Sequence, residues 1–166
     1  MSSPASIANH PFHPMFIVFP IGLWIFSLAC DIIFLAGGPA AWQQAAIYSM
    51  GAGVLGALAA AIPGLVDLLS LPHSRAKRVG VWHMSMNLFL VALFVVNFII
   101  RLITGAVAGL PLILSIIGVI LLLISGWLGG ELVYVHGVAV AKGADLNRKT
   151  IEPQHDRPKP HGVQPA

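Results

Sequence analysis

The chain has 166 residues, of which 57% are hydrophobic and 9% charged, where soluble domains carry about 25% charged residues. That balance excludes a water-soluble globular surface and points to a membrane protein; the formal charge of +3 says less than where the charges fall. Cys30 is the one cysteine, so an intrachain disulfide is excluded as well.

Met15–Ala36 is the first long apolar run and stops at a Gly-Gly-Pro sequence. It has no basic segment ahead of it and is too long for a signal-peptide core, so a retained helix is expected. Trp42–Leu71 follows and stops before Pro72, Val79–Ile103 is the third run, and Leu110–Val135 the fourth, fading at His136-Gly137. Each exceeds the roughly 20 residues that span a bilayer core. The linkers are short, so neighbouring helices should be antiparallel. The expected fold is all-α: a four-helix antiparallel transmembrane bundle with left-handed packing over residues 1–141. Residues 142–166 form a polar, Pro-rich tail expected to stay flexible.

No Lys or Arg precedes Arg75, whereas the middle loop carries Arg75, Lys77 and Arg78, and the tail carries Lys142, Arg148, Lys149, Arg157 and Lys159. The positive-inside bias places the N-terminus, the middle loop and the C-terminus on the cytoplasmic side of the membrane.

Polar and small residues recur at alternating spacings of three and four along each run, the rhythm of a helix–helix seam. The first seam is His13, Ile17, Pro20, Trp24, Ser27, Asp31. The second is Ser49, Gly53, Gly56, Ala60, Pro63, Asp67, Ser70. The third is His83, Asn87, Leu90, Phe94, Asn97, Arg101, and the fourth Ser115, Gly118, Leu122, Ser125, Gly129, Leu132, His136. Polar groups turn inward because lipid solvates them poorly. Depth divides them. Asp31 and Arg101 fall in the external half beside Asn97, and a structural ion pair is expected, since a partner offsets the cost of an intramembrane charge.

His13, Asp67, His83, Asn87 and His136 fall in the cytoplasmic half. His83, His13 and His136 are candidate ligands of haem iron or another metal, with Asp67 and Asn87 behind them, because neutral imidazole binds metals and its other nitrogen is oriented by a neighbour. The same histidines also suit core or interfacial packing, and the seam glycines suit either close helix packing or the approach of a flat macrocycle. Glu131 shares a different face with Trp127 and Tyr134, away from His136, and its role is open. Neither CxxCH nor HExxH occurs, so covalent c-type haem and zincin chemistry have no support.

HPMFIVFPIGLWIFSLACDI, AAIPGLVDLL, WHMSMNLFLVALFVVNFIIR and SGWLGGELVYVHGVAV, spread over residues 10–141, resemble an uncharacterised bacterial membrane family, domain of unknown function 2231. The resemblance implies a four-helix inner-membrane domain with no assigned activity, with polar positions matching His13, Asp67, His83, Asn87, Arg101, Glu131 and His136. Some relatives join this domain to a Rieske iron–sulfur domain, which implies redox work; this chain lacks the cysteines for one, so a separate redox protein or a quinone would be the partner. Three functions follow as expectations: a redox subunit binding haem b or a metal, a non-catalytic assembly or scaffold subunit, and a small proton-coupled transporter. The transporter would need a homodimer, because four helices with no detected inverted repeat are few. Enzymatic activity on its own is not expected, lipid is the surrounding partner, and nucleic acid is not one.

Overall fold

The computed structural model describes residues 3–8 and 10–140; the predicted tail lies outside them. A short N-terminal strap comes first, with β1 (Ser6–Ile7) paired antiparallel to β2 (His10–Pro11). Helices α1 (Phe12–Phe16) and α2 (Val18–Leu35) together make the first span. The ladder is interrupted between them because Pro20 has no N–H to give the carbonyl of Phe16, four residues back. The start at Phe12 brings His13 into the helix, ahead of the predicted Met15; Pro14 is tolerated there because first-turn N–H groups lack intrahelical partners.

Helix α3 (Ala41–Ser70) ends where Leu71 turns extended, at φ −71 and ψ 132, as the residue before a proline prefers. Helix α4 (Arg75–Thr104) starts earlier than its apolar run because Ser74 caps it, accepting from the Lys77 amide at 3.3 Å. It ends on Gly105 in the left-handed region, φ 65. Helix α5 (Leu110–Gly130) has Pro111 in its first turn and passes into a π-helical turn over Glu131–Val135.

The four spans are 24, 30, 30 and 26 residues long, enough at about 1.5 Å per residue to cross a core of about 30 Å. Large side chains such as Leu55, Ile62, Leu102 and Leu123 face outward. Only 17–28% of each apolar window is buried. Such a surface is solvated by lipid, and the chain is a multi-pass membrane protein.

Helices α2, α3, α4 and α5 pack in a square, each on its two neighbours, with α1 lying on α3. Long side chains of α2 and α4 meet across the diagonal. Trp24 stacks on Phe94 with centroids 4.1 Å apart and planes at 10°. Met50, Leu90 and Leu122 close the core around them.

The two helical hairpins repeat one pattern. Asp31 and Arg101, which pair, are 70 residues apart; 94 minus 24 and 83 minus 13 also give 70, relating Trp24 to Phe94 and His13 to His83. Between α3 and α5 the offset is 65. Trp24 lies on Gly53 and Phe94 on Gly118, and 118 minus 53 is 65. Ser27 donates to the Ala46 carbonyl and Asn97 to the Pro111 carbonyl, and 111 minus 46 is again 65. The halves are thus related by an approximate two-fold axis along the bundle, with the diagonal pairs on that axis.

Candidate functional site

At the end of the bundle that holds α1, the four helices separate around a cavity of about 450 Å³, within the range of about 300–1,000 Å³ typical of small-molecule sites. Its walls are mostly apolar, with Trp24, Val91 and Leu122 among them; His13, Asp67, His83 and Asn87 supply polar groups. The sequence grouped these four with His136, and the structure brings the four to one cavity.

Each histidine sits on a neighbouring helix in the same way. His13 Nδ1 is 2.9 Å from the Ala60 carbonyl of α3. His83 Nδ1 is 3.0 Å from the Ser125 carbonyl of α5 and 3.2 Å from its Oγ. A carbonyl only accepts, so both rings carry their proton on Nδ1 and present an Nε2 lone pair when neutral. Four residues beyond each carbonyl is a glycine. A Cβ on Gly64 would lie 2.7 Å from His13 Nδ1, and one on Gly129 3.2 Å from His83 Cε1. Glycine is what lets each ring lie against the helix backbone. Ala60 and Ser125, like Gly64 and Gly129, differ by the 65-residue offset, so the seats are equivalent in the repeat. The two rings face across the axis, with centroids 6.2 Å apart and planes at 87°.

The expected close approach at the seam glycines therefore takes a particular form: Gly53 receives Trp24, Gly118 receives Phe94 and Gly129 receives His83, while Gly64, off the predicted seam, receives His13. The glycine backbones are covered by the protein's own rings and are not left bare for a macrocycle.

The halves differ in what lies beside each ring. Asn87 Nδ2 is 3.2 Å from His83 Nε2 and 2.8 Å from the His83 carbonyl. The position one turn after His13 is Ile17, so His13 has no such amide beside it. Asp67 is on the cavity wall but orients neither imidazole. Its Oδ1 accepts from Ser3 Oγ at 2.5 Å and from the Ala5 amide at 3.4 Å, tying the N-terminal strap to α3.

His136 does not join the group. The expectation used α-helical spacing, but Glu131–Val135 is a π turn, and the His136 amide bonds the Glu131 carbonyl five residues back at 3.1 Å. The wider turn rotates His136 off the seam and away from the cavity lining. It also brings His136 Nε2 within 3.6 Å of Glu131 Oε1, joining two residues that the α-helical reading put on different faces. His136 Nε2 is buried and has no hydrogen-bond partner among the described residues. Among these residues, no three or more His, Cys, Asp or Glu side chains converge as a metal site. The donor set in the cavity is the pair His13 and His83.

The external group is separate. Arg101 holds Asp31 through both terminal nitrogens, at 2.5 and 2.7 Å, and both residues are buried. Its Nε donates to Asn97 Oδ1 at 3.2 Å, and one terminal nitrogen also reaches Ser115 Oγ at 3.0 Å. Asn97 in turn donates to Ser115 Oγ and the Pro111 carbonyl. The Trp24–Phe94 stack lies between this network and the histidines along the first span and α4.

The sequence reading did not single out the Ala60 and Ser125 carbonyls, the Gly64 seat or the Ser3 contact. One signal for the first three was available: Gly53 to Gly64 and Gly118 to Gly129 are both 11 residues, as are His13 to Trp24 and His83 to Phe94.

A family model described as a predicted membrane protein (DUF2231) matches residues 9–142. No curated protein matches the chain, and no solved structure does.

Proposed function

The chain belongs to the DUF2231 family of predicted membrane proteins, and from that premise we propose that it is a membrane redox subunit whose cavity binds haem b, or another metal centre, through His13 and His83. The observation that carries this reading is the equivalent seating of the two imidazoles, each with its Nδ1 proton on a backbone carbonyl. A histidine that donates one ring nitrogen to a carbonyl offers the other as an oriented metal donor. The two rings line one cavity with their centroids 6.2 Å apart, so both would reach one centre bound between them. Two protein donors are few for a bare ion, but they suit haem iron, whose remaining ligands belong to the porphyrin. Bound there, haem supplies one-electron chemistry, and the protein tunes it through ligand identity and burial.

His13 and His83 bind and orient, and the apolar wall around Trp24, Val91 and Leu122 excludes water. Asn87 Nδ2 lies against both Nε2 and the carbonyl of His83, so this amide would have to turn aside for Nε2 to serve as a donor. We place the cavity at the cytoplasmic end, because it shares its end of the bundle with the loop carrying Arg75, Lys77 and Arg78.

Titrating the purified apoprotein with hemin tests the reading. Stoichiometric binding with a six-coordinate spectrum is expected, with His13→Ala and His83→Ala each reduced to five-coordination and restored by added imidazole. Hemin binding that is weak, and identical in wild type and in the His13→Ala/His83→Ala double variant, would sink it.

A further inference from the structure

The two halves of the repeat differ in how firmly each histidine is mounted. His83 stands on α4, continuous from Arg75 to Thr104. His13 stands on α1, five residues long and separated from α2 at Ile17. The repeat locates the cause. Pro20, which breaks the first span, corresponds to Leu90 (90 minus 20 is 70). Pro63, which lies inside α3 beside the Gly64 seat and leaves one carbonyl of that helix without its amide, corresponds to Leu128 (128 minus 63 is 65). Both prolines lie in the half that carries His13.

The same half carries a fastening that the other lacks. The strap runs directly into α1, the Phe12 amide bonding the Ala5 carbonyl at 3.0 Å. Ser6 Oγ closes the strap on the Ser3 carbonyl at 2.7 Å. Ser3 is 8% exposed and donates to Asp67, as the Ala5 amide does. Asp67 corresponds to Leu132 (132 minus 67 is 65), so the π turn that follows α5 offers no such anchor at this position. The described neighbours of the Asp67 carboxylate are neutral donors on a short strap; among the described residues it has no ion pair.

We propose that the strap and α1 form a gate over the cavity, jointed at Ile17–Pro20 and latched by Asp67 on Ser3 and Ala5, and that its opening carries His13 off its Ala60–Gly64 seat and admits the ligand. The gate rests on the cavity being a binding site, not on the ligand being haem. His83 is the fixed donor, and His13 closes over what has entered.

The test uses full-length apoprotein in lipid nanodiscs, with Cys30→Ser removing the native thiol and Ala57→Cys placing one on the cavity wall. The rate of modification by a permanently charged methanethiosulfonate reagent is measured. Losing a latch hydrogen bond of about 1 kcal/mol favours opening about fivefold, so Asp67→Leu, which removes the acceptor, and Ser3→Ala should both label several-fold faster than the parent. Pro20→Leu, which makes the first half like the second, should label more slowly. Unchanged labelling in folded, monodisperse Asp67→Leu and Ser3→Ala protein overturns the gate; if Asp67→Leu does not fold, Ser3→Ala alone decides. The assay needs no pigment. Labelling that follows the latch in protein that never binds hemin upholds the gate and removes the haem; hemin binding with latch-independent labelling does the reverse.

Discussion

Removing one partner of the Asp31–Arg101 pair should cost far more than removing both. Asp31→Leu leaves the guanidinium in a buried site with Asn97, Ser115 and the Pro111 carbonyl still in reach; one terminal nitrogen loses Asp31 Oδ1, its sole partner among the described residues. Breaking a buried pair in this way costs about 3–5 kcal/mol. The loss should lie near the lower figure, because Arg101 is three residues from the end of α4 and its long side chain can move toward the interface. Arg101→Leu should lie near the upper one, since both Asp31 oxygens lose their donors and a short carboxylate has no such route. The Asp31→Leu/Arg101→Leu double variant leaves no buried charge and should fall within about 2 kcal/mol of wild type, giving a coupling energy of several kcal/mol. Unfolding in mixed micelles, followed by tryptophan fluorescence because Trp24 sits in the core stack, measures all four corners of the cycle. Single variants that each cost less than about 1 kcal/mol, or a double variant that loses the sum of the two, would refute the reasoning.

Gly64→Ala should weaken hemin binding more than Gly129→Ala, because the added methyl meets His13 at 2.7 Å but His83 at 3.2 Å; overpacking costs about 1–3 kcal/mol, and a hemin titration with thermal melts of the apoprotein separates the two effects. Asn87→Ile copies the position beside His13 and frees Nε2 of His83, so hemin should bind several-fold more tightly; equal or weaker affinity would show that Asn87 is not in the way. His136→Ala should leave pigment and coordination untouched, since His136 lies off the cavity, and loss of one axial ligand on that change would reinstate it.

The fold was legible because lipid imposes a coarse rule. Length and apolarity alone mark the four spans, and the cost of lipid-facing polar groups forces Asp31, Ser27, Asn97 and Arg101 onto buried positions. Depth along each run was enough to bring Asp31 to Arg101 and to gather His13, Asp67, His83 and Asn87. Three features depended on local geometry that residue spacing does not carry. The π turn adds one residue to a helical turn and moved His136 away from the group. The seat of each histidine is a backbone carbonyl, which any residue supplies, so only the glycine one turn later marks it. The repeat escaped notice because beyond its paired histidines and glycines many partners share a place and not an identity: Trp24 answers Phe94, Ser27 answers Asn97, and Asp31 answers an opposite charge in Arg101. Asp67 was read as a neighbour of the histidines, and it is one in space, but its hydrogen bonds go to Ser3 and Ala5, which no helical pattern connects to it.

The central claim is that the cavity between His13 and His83 holds a redox metal centre. A reduced-minus-oxidised spectrum of protein purified from haem-replete cells, with metal content determined by mass spectrometry on the same sample, tests it most directly. The account predicts a Soret band and a sharp reduced α-band at one haem per chain, lost in the His13→Ala/His83→Ala variant. Colourless, metal-free protein that is folded and monodisperse would contradict it and leave the bundle as an assembly subunit whose polar core serves packing.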